Sequence, residues 1–68
     1  MEHTKENIIK LLMALDGIKT GLAEEANEKR EYDLACEYYA EAVAYLRAVN
    51  IIQNKEYFDV LCKKLNLK

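Results

Sequence analysis

Hydrophobic residues recur every three or four positions through the first third of the chain. This first stripe consists of Ile8, Leu11, Leu12, Leu15, Ile18, Leu22 and Ala26. Residues at this spacing lie along one side of an α-helix, and Thr4 can accept a hydrogen bond from an unpaired backbone N–H at its start. The pattern therefore predicts a first helix over residues 4–28.

Two glycines, Gly17 and Gly21, lie within the first stripe and leave its continuity open. In one interpretation Asp16 and Gly17 end a short helix, and Thr20 caps the next one. In the other, the helix continues and the glycine spacing lets another helix approach closely. The stripe keeps its phase across both glycines, which favours one continuous helix.

The hydrophobic pattern fades between Glu24 and Glu31, and this segment is the expected turn. Asn27 is the residue expected to adopt the left-handed conformation that commonly ends a helix. The alternative is a single helix of about 45 residues, which is far longer than the usual helix of a globular protein. We therefore expect a helical hairpin.

A second helix is predicted over residues 31–50, and it has two apolar lines rather than one. The first line consists of Tyr32, Ala35, Tyr39, Ala42, Leu46 and Val49, and the second of Leu34, Tyr38, Tyr45, Ala48 and Ile52. We expect the first line to face the first helix. The second line, which Glu41 interrupts, then contacts either the last helix or another molecule.

A short third helix is predicted over residues 54–66, with Asn54 as its cap. Its apolar side consists of Tyr57, Phe58, Leu61, Cys62 and Leu65. Proline is absent and only two glycines occur, which argues against a sheet with its many turns. The expected fold is a single all-α domain over residues 1–68, an antiparallel helical hairpin closed by a short third helix into a three-helix bundle.

Residues 32–42 read Tyr-Asp-x-Ala-x-Glu-Tyr-Tyr-x-x-Ala, which resembles the second helix of a tetratricopeptide repeat. The same residues are similar to the second helix of microtubule-interacting and trafficking domains, which are three-helix bundles of about this size. The chain departs from the repeat at Lys19, where the repeat has an aromatic residue, and at Arg30, where its turn has glycine. Either resemblance implies a groove between helices that binds a helical or extended peptide.

The sequence offers few residues for catalysis or for metal binding. Serine is absent, and the one histidine, His3, lies near the N-terminus. His3, Cys36 and Cys62 do not have the spacing of metal ligands, and no glycine-rich phosphate loop is present. We therefore expect no enzymatic activity, no cofactor and no metal, and we interpret the two cysteines as reduced thiols.

Charge and hydropathy indicate which environments and partners to expect. The formal net charge is −2, with acidic and basic residues mixed along the chain, so no basic face for nucleic acid stands out. No stretch approaches the length of a membrane span, and the first residues lack the basic region of a signal peptide. We expect a cytoplasmic protein with neither a membrane nor a nucleic acid as its partner.

The function that these observations favour is a small non-enzymatic protein–protein interaction module. It would act as an adaptor or inhibitor of a partner protein and as a homodimer. The expected partner or oligomer interface consists of Leu34, Tyr38, Tyr45 and Ile52, although the same residues would also suit an internal contact with the last helix. The alternative function is a small DNA-binding transcriptional regulator that uses the last helix, with Lys55, Lys63, Lys64 and Lys68 as its basic residues.

Overall fold

Three α-helices follow one another in the computed structural model, which describes residues 1–67. They are α1 (Lys5–Glu28), α2 (Tyr32–Gln53) and α3 (Lys55–Lys64). Helices α1 and α2 pack against each other as a hairpin, and α3 packs against α2. The predicted all-α hairpin with a short third helix is confirmed, and each helix begins and ends within a few residues of its predicted bounds.

Helix α1 is continuous through both glycines, as the unbroken phase of the first stripe predicted. Its N-terminus is capped by Thr4, whose hydroxyl accepts a hydrogen bond from the backbone N–H of Asn7 at 3.2 Å. Such a cap satisfies one of the backbone donors that the first turn of a helix leaves unpaired. Helix α3 is capped in the same way by Asn54, whose side-chain oxygen accepts from the N–H of Tyr57 at 3.1 Å.

The turn between α1 and α2 is tight, and its left-handed residue is Arg30, with φ 62°, rather than Asn27. The N–H of Glu31 donates to the carbonyl of Ala26 at 2.9 Å, and the N–H of Arg30 donates to that of Asn27 at 3.0 Å. These two bonds form a Schellman motif, which requires the left-handed residue just past the helix end. Asn27 lies inside the last turn of α1, so the prediction for it was wrong by three positions.

The fully buried part of the contact between α1 and α2 is made of small side chains. The buried residues of the described chain are Ala23, Ala26, Ala35, Ala42 and Val49. On α2 the buried residues Ala35, Ala42 and Val49 lie seven residues apart. They form a single line that faces α1, and we call it the alanine line. Alanine lets two helix backbones approach closely, but each one removes little apolar surface from water.

Three larger side chains that the sequence pattern predicts to face α1 lie instead on an exposed flank of α2. Tyr32, Tyr39 and Leu46 remain 58%, 42% and 47% exposed, so the expectation that they face α1 was wrong. Tyr38 and Tyr45 are half-buried instead. The exposed set comes three residues before each residue of the alanine line, and Tyr38 and Tyr45 come three residues after one. Spacing alone therefore does not decide which set packs against α1.

Helix α3 contacts α2 alone. No Cα atom of α3 lies within 8 Å of a Cα atom of α1, and α3 itself has no buried residue. Its apolar residues are correspondingly open, with Phe58 49% and Val60 51% exposed. The third helix therefore extends the hairpin at one end and does not cover either broad side of it.

The molecule is a single layer of helices. Its principal dimensions are 45 × 32 × 13 Å. The smallest of these is less than half of each of the other two. The radius of gyration is 14.7 Å. A compact domain of this length would have a radius of gyration of about 11 Å.

The open shape leaves much of the chain exposed to solvent. The accessible surface is 5619 Å². A folded monomer of the same mass would expose about 4400 Å². The excess is therefore about 1200 Å², which the single layer leaves in contact with water.

Replacing Arg30 with glycine should stabilise the hairpin. The left-handed conformation strains a residue with a β-carbon, whereas glycine adopts it freely and loses only backbone entropy on folding. We expect Arg30→Gly to raise the free energy of unfolding by about 0.5–1 kcal/mol, and so to raise Tm by several degrees at fixed protein concentration.

The matched control is Lys29→Gly, one residue earlier, where φ is −82° and glycine gives no such relief. This control should lower Tm. A thermal melt followed by circular dichroism measures both variants, and a fall in Tm for Arg30→Gly would show that residue 30 does not adopt the left-handed conformation.

Candidate interaction surface

One ion pair crosses the hairpin and orients its two helices. Lys19 of α1 donates a hydrogen bond from Nζ to Oε2 of Glu41 of α2 at 2.6 Å. The same Nζ lies 5.3 Å from the centre of the Tyr38 ring. This distance is within the range of a cation–π interaction. Lys19 is half-buried beside the alanine line, and its contacts place the Glu41 flank of α2 next to α1.

The hydrogen bond from Lys19 to Glu41 raises the pKa of Lys19 above its ordinary value, and desolvation opposes this only in part. A lysine whose pKa is higher in the folded than in the unfolded state stabilises the fold. That contribution is fully present below the unfolded-state pKa of lysine and is lost as the pH rises through the folded-state pKa. The Lys19 contribution is therefore present at neutral pH and is lost in strongly alkaline solution, where the ammonium group gives up its proton.

The four residues expected to form the interface lie partly in the hairpin contact. Leu34 is 37% exposed, whereas Tyr38, Tyr45 and Ile52 are half-buried. Tyr38 lies under Lys19, so part of its ring contributes to the packing of α2 on α1. The use of these residues by a partner stays a prediction, and any such contact would be to the exposed parts of their side chains.

One broad side of the layer carries the outer part of the first stripe, and we call it the leucine face. It consists of Ile8, Leu11, Leu15, Ile18 and Leu22 on α1 and Leu34 on α2. Leu11 and Ile18 are 55% and 57% exposed, although the sequence pattern placed both on the buried side of the helix. A shallow hollow at the turn end of this face is lined by Leu22, Ala26, Leu34 and Tyr38, with Glu25, Lys29 and Glu31 at its rim.

The opposite broad side carries a second apolar stripe, and we call it the tyrosine face. It consists of Tyr32, Cys36, Tyr39, Val43 and Leu46, all of them exposed. These residues are spaced alternately by four and three positions, as in the seam of a coiled coil. The sequence pattern contained this stripe but assigned three of its five residues to the contact with α1, so the tyrosine face as a free surface was missed.

The residues considered for chemistry remain apart. His3 and Cys36 are exposed, Cys62 is half-buried, and both cysteines are free thiols. Within residues 1–67 no three histidine, cysteine or acidic side chains are grouped so as to hold a metal ion. None of the three helices is both long enough and apolar enough to cross a membrane.

Comparison of the chain with models of protein families, with curated proteins and with solved structures finds no match. The resemblance of residues 32–42 to the tetratricopeptide repeat and to microtubule-interacting and trafficking domains therefore stays an expectation. The class that the geometry itself defines is an all-α hairpin one layer thick, with an apolar stripe on each broad side.

Reversing one charge of the Lys19–Glu41 pair should weaken the hairpin, and reversing both should restore it. We expect Lys19→Glu and Glu41→Lys each to lower Tm, because each places two like charges against one another between the helices. The double variant restores an attractive pair with the opposite polarity. Thermal melts at neutral pH and low ionic strength measure all three variants, and equal losses in the single and double variants would contradict the pairing.

Replacing Gly17 with alanine should stabilise α1. No heavy atom of a neighbouring element lies within 4 Å of the position that a β-carbon would occupy at Gly17 or Gly21. Alanine is favoured over glycine in a helix interior by about 0.5–1 kcal/mol, so Tm should rise by several degrees. If Gly17→Ala lowers Tm at a concentration where the protein associates, another chain packs closely against that side of α1.

Proposed function

We propose that the protein is a small non-enzymatic interaction module, which acts as a homodimer and binds a partner protein as an adaptor or inhibitor. The observation that supports this most is the single layer of helices with an apolar stripe on each broad side. Stable domains bury the apolar side of each helix against a second layer. A chain that lacks this second layer gains stability by association with another surface.

The leucine face is the surface that we assign to the partner protein. Its apolar residues run along α1, and the hollow between Leu22 and Leu34 offers a place for one large apolar side chain. The exposed edges of Tyr38 and Tyr45 lie beside this face, and tyrosine is favoured at interfaces because it combines a large apolar ring with a polar tip. An amphipathic helix with apolar residues every three or four positions would fit such a surface.

The cytoplasm is the compartment that we propose. Cys36 and Cys62 lie on different helices and are free thiols. Cytosolic proteins keep their cysteines reduced, whereas small domains of oxidising compartments commonly use disulfides for the stability that a small core does not provide. This chain would obtain that stability from association.

The alternative function, DNA binding through the last helix, has less support from the positions of its lysines. Lys55 pairs with Asp59 of the same helix at 2.8 Å, which leaves Lys63 and Lys64 as the other lysines of α3. Lys68 lies outside the described residues. A helix that reads DNA is expected to present a larger basic face, so this function ranks second. Salt-sensitive binding of the protein to duplex DNA in a gel shift would favour it over our proposal.

The experiment that tests the proposed function is affinity capture from the native host with the wild-type chain and with Ile18→Glu. We expect the wild type to retain a protein that Ile18→Glu loses, because the substitution places a charge in the centre of the leucine face. The matched control is Val60→Glu on α3, whose residue is 51% exposed and lies off both faces. This control should retain the same protein as the wild type.

Circular dichroism should show that all three proteins remain helical. If no protein distinguishes the wild type from Ile18→Glu, the leucine face does not bind a partner. Light scattering is the second measurement, because the proposal expects a particle of twice the 7.9 kDa chain. A single species with the mass of one chain at every accessible concentration would contradict the homodimer.

A further inference from the structure

Two charged residues of α2 border the tyrosine face in a way that complements a second copy of the same chain. Asp33, Ala40 and Arg47 are spaced seven residues apart, so they form one line along the helix beside Cys36 and Val43. Its first side chain is acidic, its middle side chain is small and its last side chain is basic. Within residues 1–67 neither Asp33 nor Arg47 takes part in an ion pair.

We infer that a second copy of this chain covers the tyrosine face, with the two α2 helices antiparallel about a two-fold axis near Ala40. This inference rests on the homodimer of the proposed function and names the surface that forms it. In an antiparallel pair of helices related by a two-fold axis, one flank of the first helix lies against the same flank of the second. Asp33 then lies opposite the second copy's Arg47, and Arg47 lies opposite the second copy's Asp33.

The two-fold arrangement also suits the apolar residues and the small residue of the line. Ala40 lies level with its own copy at the border of the seam, where its small side chain lets the two helices approach. Tyr39 lies against the second copy's Val43, which fills the seam with the alternation of large and branched side chains that helix packing favours. Cys36 lies toward the second copy's Leu46 at each end of the same seam.

The excess surface of the whole chain is of the size that a stable dimer needs to cover. The chain exposes about 1200 Å² more surface than a folded monomer of its mass. A stable interface buries about 800 Å² on each partner, and permanent homodimers bury more. The tyrosine face is one broad side of the layer of helices. A second copy packed on it would therefore provide the second layer that the single chain lacks.

Charge reversal at the two ends of the line tests the pairing. The variants are Asp33→Arg, Arg47→Asp and the double variant, each examined by sedimentation equilibrium at low ionic strength, where surface charges are least screened. In the antiparallel dimer each single variant places like charges opposite one another at both ends. We expect the dissociation constant of each single variant to rise about tenfold.

The double variant restores both attractive contacts and should associate as tightly as the wild type. A mixture of the two single variants should also restore association, because each end of the seam then pairs an arginine of one chain with an aspartate of the other. The matched control is Glu37→Arg, which changes the net charge by the same amount from a position further round α2, away from the tyrosine face. This control should leave the dissociation constant unchanged.

The outcomes separate this inference from the homodimer on which it rests. A wild-type chain that stays monomeric overturns both. A wild-type dimer that Asp33→Arg and Arg47→Asp leave intact overturns the inference alone, because association then uses another surface. Single variants that dissociate without rescue in the double variant or in the mixture show that the two helices are not antiparallel, which also overturns it.

If Asp33→Arg destabilises α2 itself, a substitution among the apolar residues of the tyrosine face still tests the inference. Tyr39→Glu should abolish the dimer while the chain stays helical by circular dichroism, because Tyr39 lies at the centre of the seam and away from α1. Leu11→Glu, on the leucine face, should leave the dimer intact. Equal losses from the two variants would place the dimer contact on both faces and contradict the assignment.

Discussion

The contact between α1 and α2 depends on alanine, and this constraint determines the rest of the structure. Ala23, Ala26, Ala35 and Ala42 allow the two helices to lie close together along the turn half of the hairpin. Burial of one methyl group contributes only about 0.8 kcal/mol, so a contact of this kind orients two helices better than it stabilises them. The large apolar side chains, which could stabilise the fold, are displaced to the flanks.

Displacement to the flanks explains the shape of the chain and its surfaces. The exposed leucine and isoleucine of α1, Leu11 and Ile18, lie to one side of the alanine line, and the exposed tyrosines of α2 lie to the other. Each broad side of the layer is therefore apolar, and neither is covered by α3, which lies at one end. Association is the role that we propose for these surfaces, because a large uncovered apolar surface commonly marks an interface. Two different stripes allow one self-contact and one partner contact.

Local rules of the sequence were enough to predict much of the fold. The three- and four-residue spacing of apolar residues predicts the three helices. Thr4 and Asn54 are predicted as caps because their side chains can reach an unpaired backbone N–H. The position of the left-handed residue was not predicted, because Asn27 is the residue type that favours this conformation and Arg30 is not. The bonds of the Schellman motif, and not intrinsic preference, place Arg30 there.

The candidate site could be predicted only in part, because the choice between two flanks of α2 depends on a partner helix that lies far away in the sequence. Both flanks adjoin the same alanine line and are largely apolar. The distinguishing feature is polar: Glu41 interrupts one flank of α2, and Lys19 interrupts the side of α1 that faces it. An isolated charge within an apolar line is costly to desolvate unless an opposite charge meets it. A single acid on one helix and a single base on the next therefore indicate which flanks meet, and this leaves the uninterrupted flank of α2, with its two tyrosines, free for another molecule.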